Sequence, residues 1–266
     1  MNLEVLISTM HQTDHSILDR IGLRSDAVVV NQCDHNSKEM FEAADHRITW
    51  INSAQRGLSR SRNMAIKHSS ADIVLLADDD ELLRPDYLET ILAGFQKHPD
   101  AAAVGFQIQG IEAKFKEYHS QECEVGFMRS MKMASVELAF RRNTIEAANV
   151  CFNEYIGAGT KYMMGEENAF LFSLLEKKQK IFYIPKVIAD LHIEKSTWFS
   201  GFNKEYMVAR GAGYVAMSRH WSNLLILQFA VRHRQLFQQN MSMMEAINYM
   251  MIGKKEYLAI EGRKND

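Results

Sequence analysis

The first hundred residues alternate short apolar runs with polar or amphipathic stretches of about helix length. The apolar runs lie at residues 3–7, 27–30, 48–51, 73–77 and 101–106. Near-continuous apolar strands that alternate with helices are typical of a mostly parallel sheet covered by helices on both faces. The pattern therefore predicts an α/β fold with such a sheet at its centre.

The pattern is less regular after this point, and the segment from about residue 107 to 165 is rich in Glu, Lys, Met and small residues. The predicted elements are a strand at 136–140, a helix at 167–175, strands at 180–184 and 187–191, and helices from Trp198 almost to the end. No repeat or obvious linker divides the chain. We expect one α/β domain at residues 1–195 and a helical C-terminal extension at residues 196–266.

Three polar segments directly follow predicted strands: residues 9–11, 31–34 and 78–81. In open parallel sheets, ligands bind beyond the carboxyl ends of the strands. We therefore expect these three segments to lie along one edge of the sheet and to form a ligand site.

The segment at 78–81 consists of four consecutive acids, Asp78, Asp79, Asp80 and Glu81. On an extended segment, the side chains of Asp78 and Asp80 would point the same way. Two interpretations are open: a solvated acidic turn, or a site for a hard cation such as Mg²⁺ or Mn²⁺, which prefers oxygen ligands. Its place on the ligand edge favours the metal site.

A basic stretch, QRGLSRSRNMAIKH at 55–68, precedes the acids. Gly57 breaks the chain after a strand, and Ser59 is predicted to cap the helix that follows. Arg56, Arg60 and Arg62 place guanidinium groups near a helix N-terminus, which already favours anions. A cation beside these arginines suggests a diphosphate neutralised from both sides. The alternative is a solvated basic face of a helix.

Composition changes this picture little, since 47% hydrophobic and 24% charged residues are ordinary globular values. The formal net charge of -2 gives no reason to expect nucleic acid as a partner. Charge is uneven, however: residues 195–266 hold ten Lys and Arg against five Asp and Glu, a balance of +5, and the remainder hold 21 against 28, a balance of -7.

The three cysteines, Cys33, Cys123 and Cys151, are odd in number and widely spaced. They fit neither a disulfide framework nor a zinc cluster, so a reducing cytoplasm is expected. The N-terminal MNLEVLISTM does not have the pattern of a signal peptide, and no apolar stretch approaches the roughly 20 residues of a membrane span. We expect a cytoplasmic protein, either soluble or peripheral at the inner face of the cell membrane.

Three motifs together resemble a known family: GLSRSRN, then DIVLLADDDELLRPDYLE, and GEENAFL at 165–171. The chain resembles family 2 glycosyltransferases of the bacterial polysaccharide-synthesis type over roughly residues 1–195. The resemblance implies the α/β GT-A nucleotide-sugar-binding fold. It also implies a metal-dependent, inverting transfer of a sugar from a nucleotide diphosphate, expected to be a UDP-sugar, to a hydroxyl of a glycan or lipid-linked acceptor in cell-surface polysaccharide synthesis.

On the donor side, the resemblance aligns residues 78–80 with the family's Asp-X-Asp motif. It implies that Asp80 coordinates Mn²⁺ or Mg²⁺, that Asp78 faces the donor's ribose or the water shell of the metal, and that Asp79 lies in the donor site. Arg62 matches the arginine of the family's Ala-Arg-Asn, although Ser61 replaces the alanine.

Recognition of the nucleotide base is expected at Asp34, and Thr9 is expected to contact the same base. Here the chain departs from the family, because it has Cys33-Asp34-His35-Asn36 where the family usually has Asp-Asp-Gly-Ser. The departure weakens the base-recognition assignment more than the metal assignment.

On the acceptor side, Glu167 occupies the position of the family's catalytic base, where Asp is more common. Glu166 stays open as the alternative, since adjacent helical positions point about 100° apart. Both can instead be first-turn acids favoured by the helix dipole. His192 follows a predicted strand, and a histidine at a comparable place in GT-A enzymes can complete the metal site. A hydrogen-bonded structural role is equally open for it.

The C-terminal extension mixes aromatic residues and seven methionines with arginines. The residues concerned are Trp198, Phe199, Trp221, Phe229 and Phe237 with Arg219, Arg232 and Arg234. Aromatic rings with cations suit a membrane surface. A helical pair packed on the domain, or against a second subunit in a homodimer, is the alternative.

Two rival functions remain. A sugar-nucleotide pyrophosphorylase would need a glycine-rich phosphate loop after the first strand, and STMHQTDH contains no glycine. A degenerate glycosyltransferase fold kept for binding or scaffolding is disfavoured by the intact Asp78, Asp80, Arg62 and Glu167.

Overall fold

A computed structural model describes residues 1–193 and 201–262, in which one ten-stranded sheet runs through the protein. The strands are β1 (Leu3–Met10), β2 (Asp26–Gln32), β3 (Ser37–Ala43), β4 (His46–Ser53), β5 (Ile73–Asp78), β6 (Glu81–Leu83), β7 (Ala101–Gly110), β8 (Cys123–Glu124), β9 (Leu138–Arg141) and β10 (Lys180–Leu191). The helices are α1 (Ile17–Arg20), α2 (Leu58–His68), α3 (Tyr87–Lys97), α4 (Phe127–Ser130), α5 (Arg142–Ala147), α6 (Glu166–Glu176), α7 (Lys204–Met217), α8 (Ser222–Arg232), α9 (Arg234–Phe237) and α10 (Met243–Gly262).

The strand order is β3-β4-β2-β1-β5-β9-β7-β10-β6, with β8 paired to β10. Strands β4, β2, β1 and β5 are parallel neighbours, as are β7 and β10. Each of the five predicted apolar runs lies in one of these parallel strands. The prediction of a mostly parallel sheet is confirmed, with antiparallel strands added at the edges and between β5 and β7.

Helices cover both faces because successive residues of the buried strands point to opposite sides. In β1, Val5 and Ile7 pack with α1 and α3 on one face, whereas Leu6 packs with α2 and α6 on the other. The ladder between β1 and β5 aligns Ser8 with Asp78. The parallel register therefore brings the ends of β1, β2 and β5 to one edge of the sheet.

Several local predictions differ from the structure. The segment 136–140 begins as a 3₁₀ turn at Ser135–Glu137, and only its second half joins β9. The segment 180–191 is one strand, with Pro185 at an irregularity in its pairing. Gly57 holds the N-cap position of α2, while Ser59 lies inside the helix and donates its hydroxyl to the carbonyl of Ile156. The prediction that Ser59 caps this helix is therefore wrong.

The helices α7–α10 share a third hydrophobic core, which also takes in Ile156 and Phe172 from the sheet-bearing part of the chain. Helices α7 and α10 cross closely: a Cβ at Gly211 would lie 1.9 Å from the carbonyl oxygen of Met250, and one at Gly253 equally near that of Val208. The extension therefore packs on the rest of the protein. The expected boundary at 195/196, and the predicted surface residues Trp198 and Phe199, lie outside the described residues.

Among residues 1–193 and 201–262, no helix is both long enough and apolar enough to cross a lipid bilayer.

Candidate active site

The acidic segment forms the turn between β5 and β6. Strand β5 ends at Asp78, while Asp79 and Asp80 lie in the turn itself. The expectation that Asp78 and Asp80 share an extended segment is therefore wrong. Burial and then the neighbouring charges of Asp78 and Asp79 raise the pKa of Asp80 to about 6.

The buried side chain of Glu81 supports this turn from the protein interior. Its Oε1 accepts a hydrogen bond from the backbone amide of Asp78 at 2.7 Å, while its Oε2 has no hydrogen-bond partner among the described residues. Burial and the charge of Asp78 raise the pKa of Glu81 well above its usual value. The four acids are similar in sequence, but in the fold Glu81 is buried and the other three acids lie nearer to solvent.

Arg62 connects the acidic turn to the start of α6. Its side chain is only 1% exposed and donates to Asp78 Oδ1 and to Glu166 Oε1, both at 3.2 Å, and to the hydroxyl of Ser135 at 2.8 Å. The guanidinium also lies 5.6 Å from the ring centroid of Phe152. A buried cation with two carboxylate partners fixes the relative positions of the elements that carry them.

Glu166 and Glu167 are the first two residues of α6, after Gly165 at φ 90°. Close approach holds Glu166 in place, because a Cβ at Gly157 would lie 2.9 Å from its carboxyl carbon. The Glu166 carboxylate pairs with Arg62, whereas the Glu167 carboxyl group is not part of this ion pair. Burial and the charge of Glu166 raise the pKa of Glu167 to about 8.

At the ends of β1 and β2, a cavity of about 490 Å³ is lined by residues that include Asp34, His11 and Trp50. Arg56 donates to the carbonyl of Cys33 and to Asp34 Oδ1, the latter at 2.8 Å, while the Asp34 side chain is 92% exposed. Arg56 thus orients Asp34 and does not stand free. The sequence indicated both residues but not their pairing.

Thr9 and Arg60 make contacts within the protein that the sequence did not indicate. The hydroxyl of Thr9 donates to Asp79 Oδ2 at 2.7 Å, so Thr9 holds the acidic turn. Arg60 donates to Glu154 Oε2 at 3.3 Å in an exposed pair, which joins α2 to the loop before α6. These partners are distant in sequence, and the local spacing of charges gave no sign of either.

His192 follows β10 beside the acidic turn. Its backbone amide donates to the carbonyl of Asp80 at 3.4 Å, which brings the two residues together as expected. Its Nδ1 lies 2.6 Å from Glu112 Oε1, a residue that sequence reasoning missed. A carboxylate on one ring nitrogen is the usual way in which a metal-binding histidine is oriented, and it leaves Nε2 for a ligand.

Within the described residues, no three His, Cys, Asp or Glu side chains converge as a preformed metal site. The donor chemistry nonetheless fits a hard divalent cation, because Mg²⁺ is commonly held by one or two carboxylates plus waters and substrate phosphates. Burial first, and then the negative charges of Asp78 and Asp79, raise the pKa of Asp80, and a bound cation would offset both effects.

The geometry thus defines a parallel-sheet protein whose ligand edge combines an acidic turn, a buried arginine and an acid pair at a helix start. The sequence profile of glycosyl transferase family 2 matches residues 6–164. The chain belongs to this family.

Two curated relatives match shorter stretches. The glucosyl-dolichyl phosphate glucuronosyltransferase of Haloferax volcanii is 35% identical over 65 residues, which cover 24% of this chain and 21% of that protein. The glycosyltransferase GlyA of Streptococcus pneumoniae serotype 4 is 30% identical over 94 residues, which cover 34% of this chain and 14% of that protein. The matches therefore span about a fifth or less of the length of these relatives.

Among solved structures, residues 1–349 of S. aureus TarS in complex with UDP-GlcNAc superpose with a TM-score of 0.61 at 15% identity. The match covers 90% of this chain and 74% of that one. The same part of TarS with UDP gives the same TM-score at 14% identity. This likeness shows the fold, which is the predicted GT-A fold.

Proposed function

We propose that this protein transfers a sugar from a nucleotide-diphosphate donor, a UDP-sugar, to a hydroxyl of a glycan or lipid-linked acceptor in cell-surface polysaccharide synthesis. The observation that carries the proposal is the double pairing of Arg62 with Asp78 and Glu166. It supports the proposal because it joins the acidic turn to the first residue of α6, directly before Glu167, the proposed catalytic base. Family membership supports the reaction class, and a fold shared with TarS, which was solved with UDP-GlcNAc, supports the donor class.

In the proposed reaction, Glu167 takes the proton of the acceptor hydroxyl as the oxygen bonds to the anomeric carbon. The bond from that carbon to the donor's diphosphate breaks, and the electron pair leaves with the diphosphate. Attack opposite the leaving group inverts the anomeric centre. A carboxyl group with a raised pKa is a suitable base near neutral pH, because it binds the proton more strongly than an ordinary glutamate.

Mn²⁺ or Mg²⁺ is the proposed cofactor, held by Asp80 with Asp78 and His192. When bound, the metal would neutralise charge on the diphosphate. The protein's own residues contribute the rest: Thr9 holds Asp79 in the turn, and Arg56 presents Asp34 to the nucleotide base.

The test is release of UDP from a panel of UDP-sugars, with Mn²⁺ or with EDTA, in the presence and absence of an acceptor extract. We expect release from one or a few donors in Mn²⁺ and almost none in EDTA. UDP binding without release from any donor would instead indicate a binding or scaffolding subunit. Equal release in EDTA would contradict the metal assignment alone.

A peripheral position at the inner, cytoplasmic face of the cell membrane is also proposed. Helix α8 exposes Leu224, Leu227 and Val231, each more than half exposed, and Trp221 precedes it on the same face. Arg219 and Arg234 flank this stripe. An apolar stripe with cations at its ends fits an anionic lipid surface.

A further inference from the structure

A second cavity, of about 460 Å³, lies between α4, α7 and α8 on the side of the protein that carries Glu167. Four permanent cations line it: Arg129, Lys132, Arg210 and Arg232. None of the described residues that line it is an Asp or a Glu. A concave surface with this charge is complementary to an anion with several negative oxygens.

The cations of this cavity have no carboxylate partners among residues 1–193 and 201–262. Within the part of the chain that the structure describes, none of Arg129, Lys132, Arg210 and Arg232 pairs with an acid within 4.0 Å. Elsewhere in the protein, the buried guanidinium of Arg62 has two such partners.

Arg210 is the innermost of these cations. Its Nε is buried and has no hydrogen-bond acceptor in the described part of the chain. Its guanidinium lies 5.1 Å from the ring centroid of Tyr206 and 5.2 Å from that of Phe229. An unsatisfied buried donor on a charged group is costly unless a ligand completes it. Burial and the charges of Arg232 and Arg210 lower the pKa of His233, as expected where positive charge is in excess.

Hydrogen bonds connect the wall of this cavity to α6, the helix that carries the proposed catalytic base. The amide of Asn168, in the first turn of α6, donates to the carbonyls of Ser130 and Met133 and so attaches the segment with Lys132 to α6. Arg210 lies near enough to Glu167 to interact with its charge. Arg129 and Lys132 also line a neighbouring cavity of about 470 Å³, but its lining includes Glu117 and Glu137, and Glu137 pairs with Lys116. The excess of positive charge is therefore confined to the cavity between α4, α7 and α8, beside the helix that carries the proposed base.

We propose that this cavity binds a phosphate group of the acceptor, so that the acceptor is a phosphate-bearing saccharide or polyol. The inference rests on the proposed function and names the acceptor class for the same site. Phosphate is favoured over a single carboxylate because four cations exceed one negative charge, and because guanidinium forks match phosphate oxygens. The phosphate can belong to a lipid-linked diphosphate or to a phosphodiester-linked glycan.

The test uses the full-length protein with UDP and Mn²⁺ present to fill the donor site. Binding of glycerol phosphate is measured by calorimetry for the wild type and for Arg129→Gln, Lys132→Gln and Arg232→Gln, all at exposed positions where folding is not at risk. Arg24→Gln is the matched control, since Arg24 is exposed and does not line the cavity. We expect each cavity variant to bind about tenfold more weakly, or about 1.4 kcal/mol, and the control to bind normally.

A second arm measures co-sedimentation with neutral vesicles that contain a polyprenyl diphosphate. Loss of this binding in the cavity variants identifies the lipid-linked source, and glycerol-phosphate binding alone identifies a phosphodiester glycan. Absence of binding in both arms, or equal binding by the cavity variants and the control, overturns the inference. Release of UDP from a UDP-sugar by the wild type reports the donor site separately, so the two proposals fail in distinguishable ways.

Discussion

At the scale of single residues, Arg62 joins the two sides of the candidate site through its charge. Removing one partner of a buried ion pair typically costs about 3–5 kcal/mol of folding free energy, because the other charge is left uncompensated. Substitutions at Arg62 would therefore mix stability with chemistry. Glu167, whose carboxyl group is not used in this pairing, gives the cleaner test of mechanism.

We expect Glu167→Gln to lower kcat by roughly 10²–10⁴ while UDP-sugar binding stays nearly unchanged. The amide keeps the size of the side chain but cannot accept a proton. Steady-state kinetics and calorimetry with the donor measure the two effects. Glu166→Gln is the comparison: its kcat per folded protein should fall much less, because Glu167 keeps the base, while its thermal melt should show the loss of a carboxylate partner of Arg62. Near-normal turnover by Glu167→Gln, or retention of the donor's anomeric configuration in the product, would show that the mechanism is wrong.

The pH dependence of kcat/KM should follow the ionisation of Glu167. The charged groups around Glu167 are Glu166, Arg62 and Arg210, and burial with the charge of Glu166 raises its pKa to about 8. Because a base works in its ionised form, kcat/KM should rise as pH rises through neutrality and level off above about 8. The sign for stability is opposite: a raised pKa in the folded state means that stability is lost as pH rises from about 4.5 towards 8. A kcat/KM profile that falls over this range would contradict the assignment.

The strand-end pattern and the family motifs predicted that the acidic segment, Arg62 and the start of α6 belong to one site, because these signals depend on short segments at the ends of strands and helices. The structure brings Arg62 against Asp78 and Glu166, and the roles of Asp80 and Glu167 stay predictions. The pairings of Arg56 with Asp34 and of Arg60 with Glu154 were not predictable in this way. Each joins residues 22 or more positions apart, and no local pattern encodes such contacts. For the same reason, the sequence did not distinguish the four adjacent acids, whereas the turn between β5 and β6 buries the side chain of Glu81.

At the scale of elements, the strands that could be predicted from sequence are those whose side chains are buried on both faces of the sheet. The parallel strands β1, β2, β4, β5 and β7 are apolar on both faces and read as continuous runs. Strand β3 is mostly exposed and polar, so its sequence carries no apolar signal. The strand predicted at 136–140 contains three of the four residues of β9 but begins too early, because a 3₁₀ turn occupies Ser135–Glu137.

The exposed stripe on α8 leads to a prediction about membranes. The protein should co-sediment with anionic vesicles and detach as salt rises, since the Debye length falls from about 10 Å at 0.1 M to about 3 Å at 1 M. The double variant Leu224→Gln/Leu227→Gln should bind more weakly, because apolar contact adds to charge. Met40→Gln is the control, since Met40 is 71% exposed on β3.

The opposite result has a definite meaning. Equal binding to neutral vesicles would remove the role of the cations. If no vesicles bind, and light scattering shows a dimer that the double variant dissociates, the stripe is instead the interface of a homodimer.

At the scale of the whole molecule, the protein has three hydrophobic cores, and two of them share the helix α6. The two faces of the sheet supply the first two, and α7–α10 supply the third. Helix α6 belongs to the second core through Phe170 and to the third through Phe172. The C-terminal helices therefore support the helix that carries Glu167, and a boundary near residue 195 would separate segments that pack together.

This arrangement predicts a global response to the donor's leaving group. A ligand that binds only the folded state at 100 times its Kd stabilises that state by about 2.7 kcal/mol. For a chain of about this size, that corresponds to a rise in Tm of roughly 5 °C or more. We expect UDP with Mn²⁺ to give this shift in a thermal melt, and UDP with EDTA to give little.

Asp80→Ala should bind UDP at least tenfold more weakly, about 1.4 kcal/mol, and show a correspondingly smaller shift. Met40→Gln should keep the full shift. Equal shifts for the wild type and Asp80→Ala, with or without EDTA, would rule out Asp80 as a metal ligand.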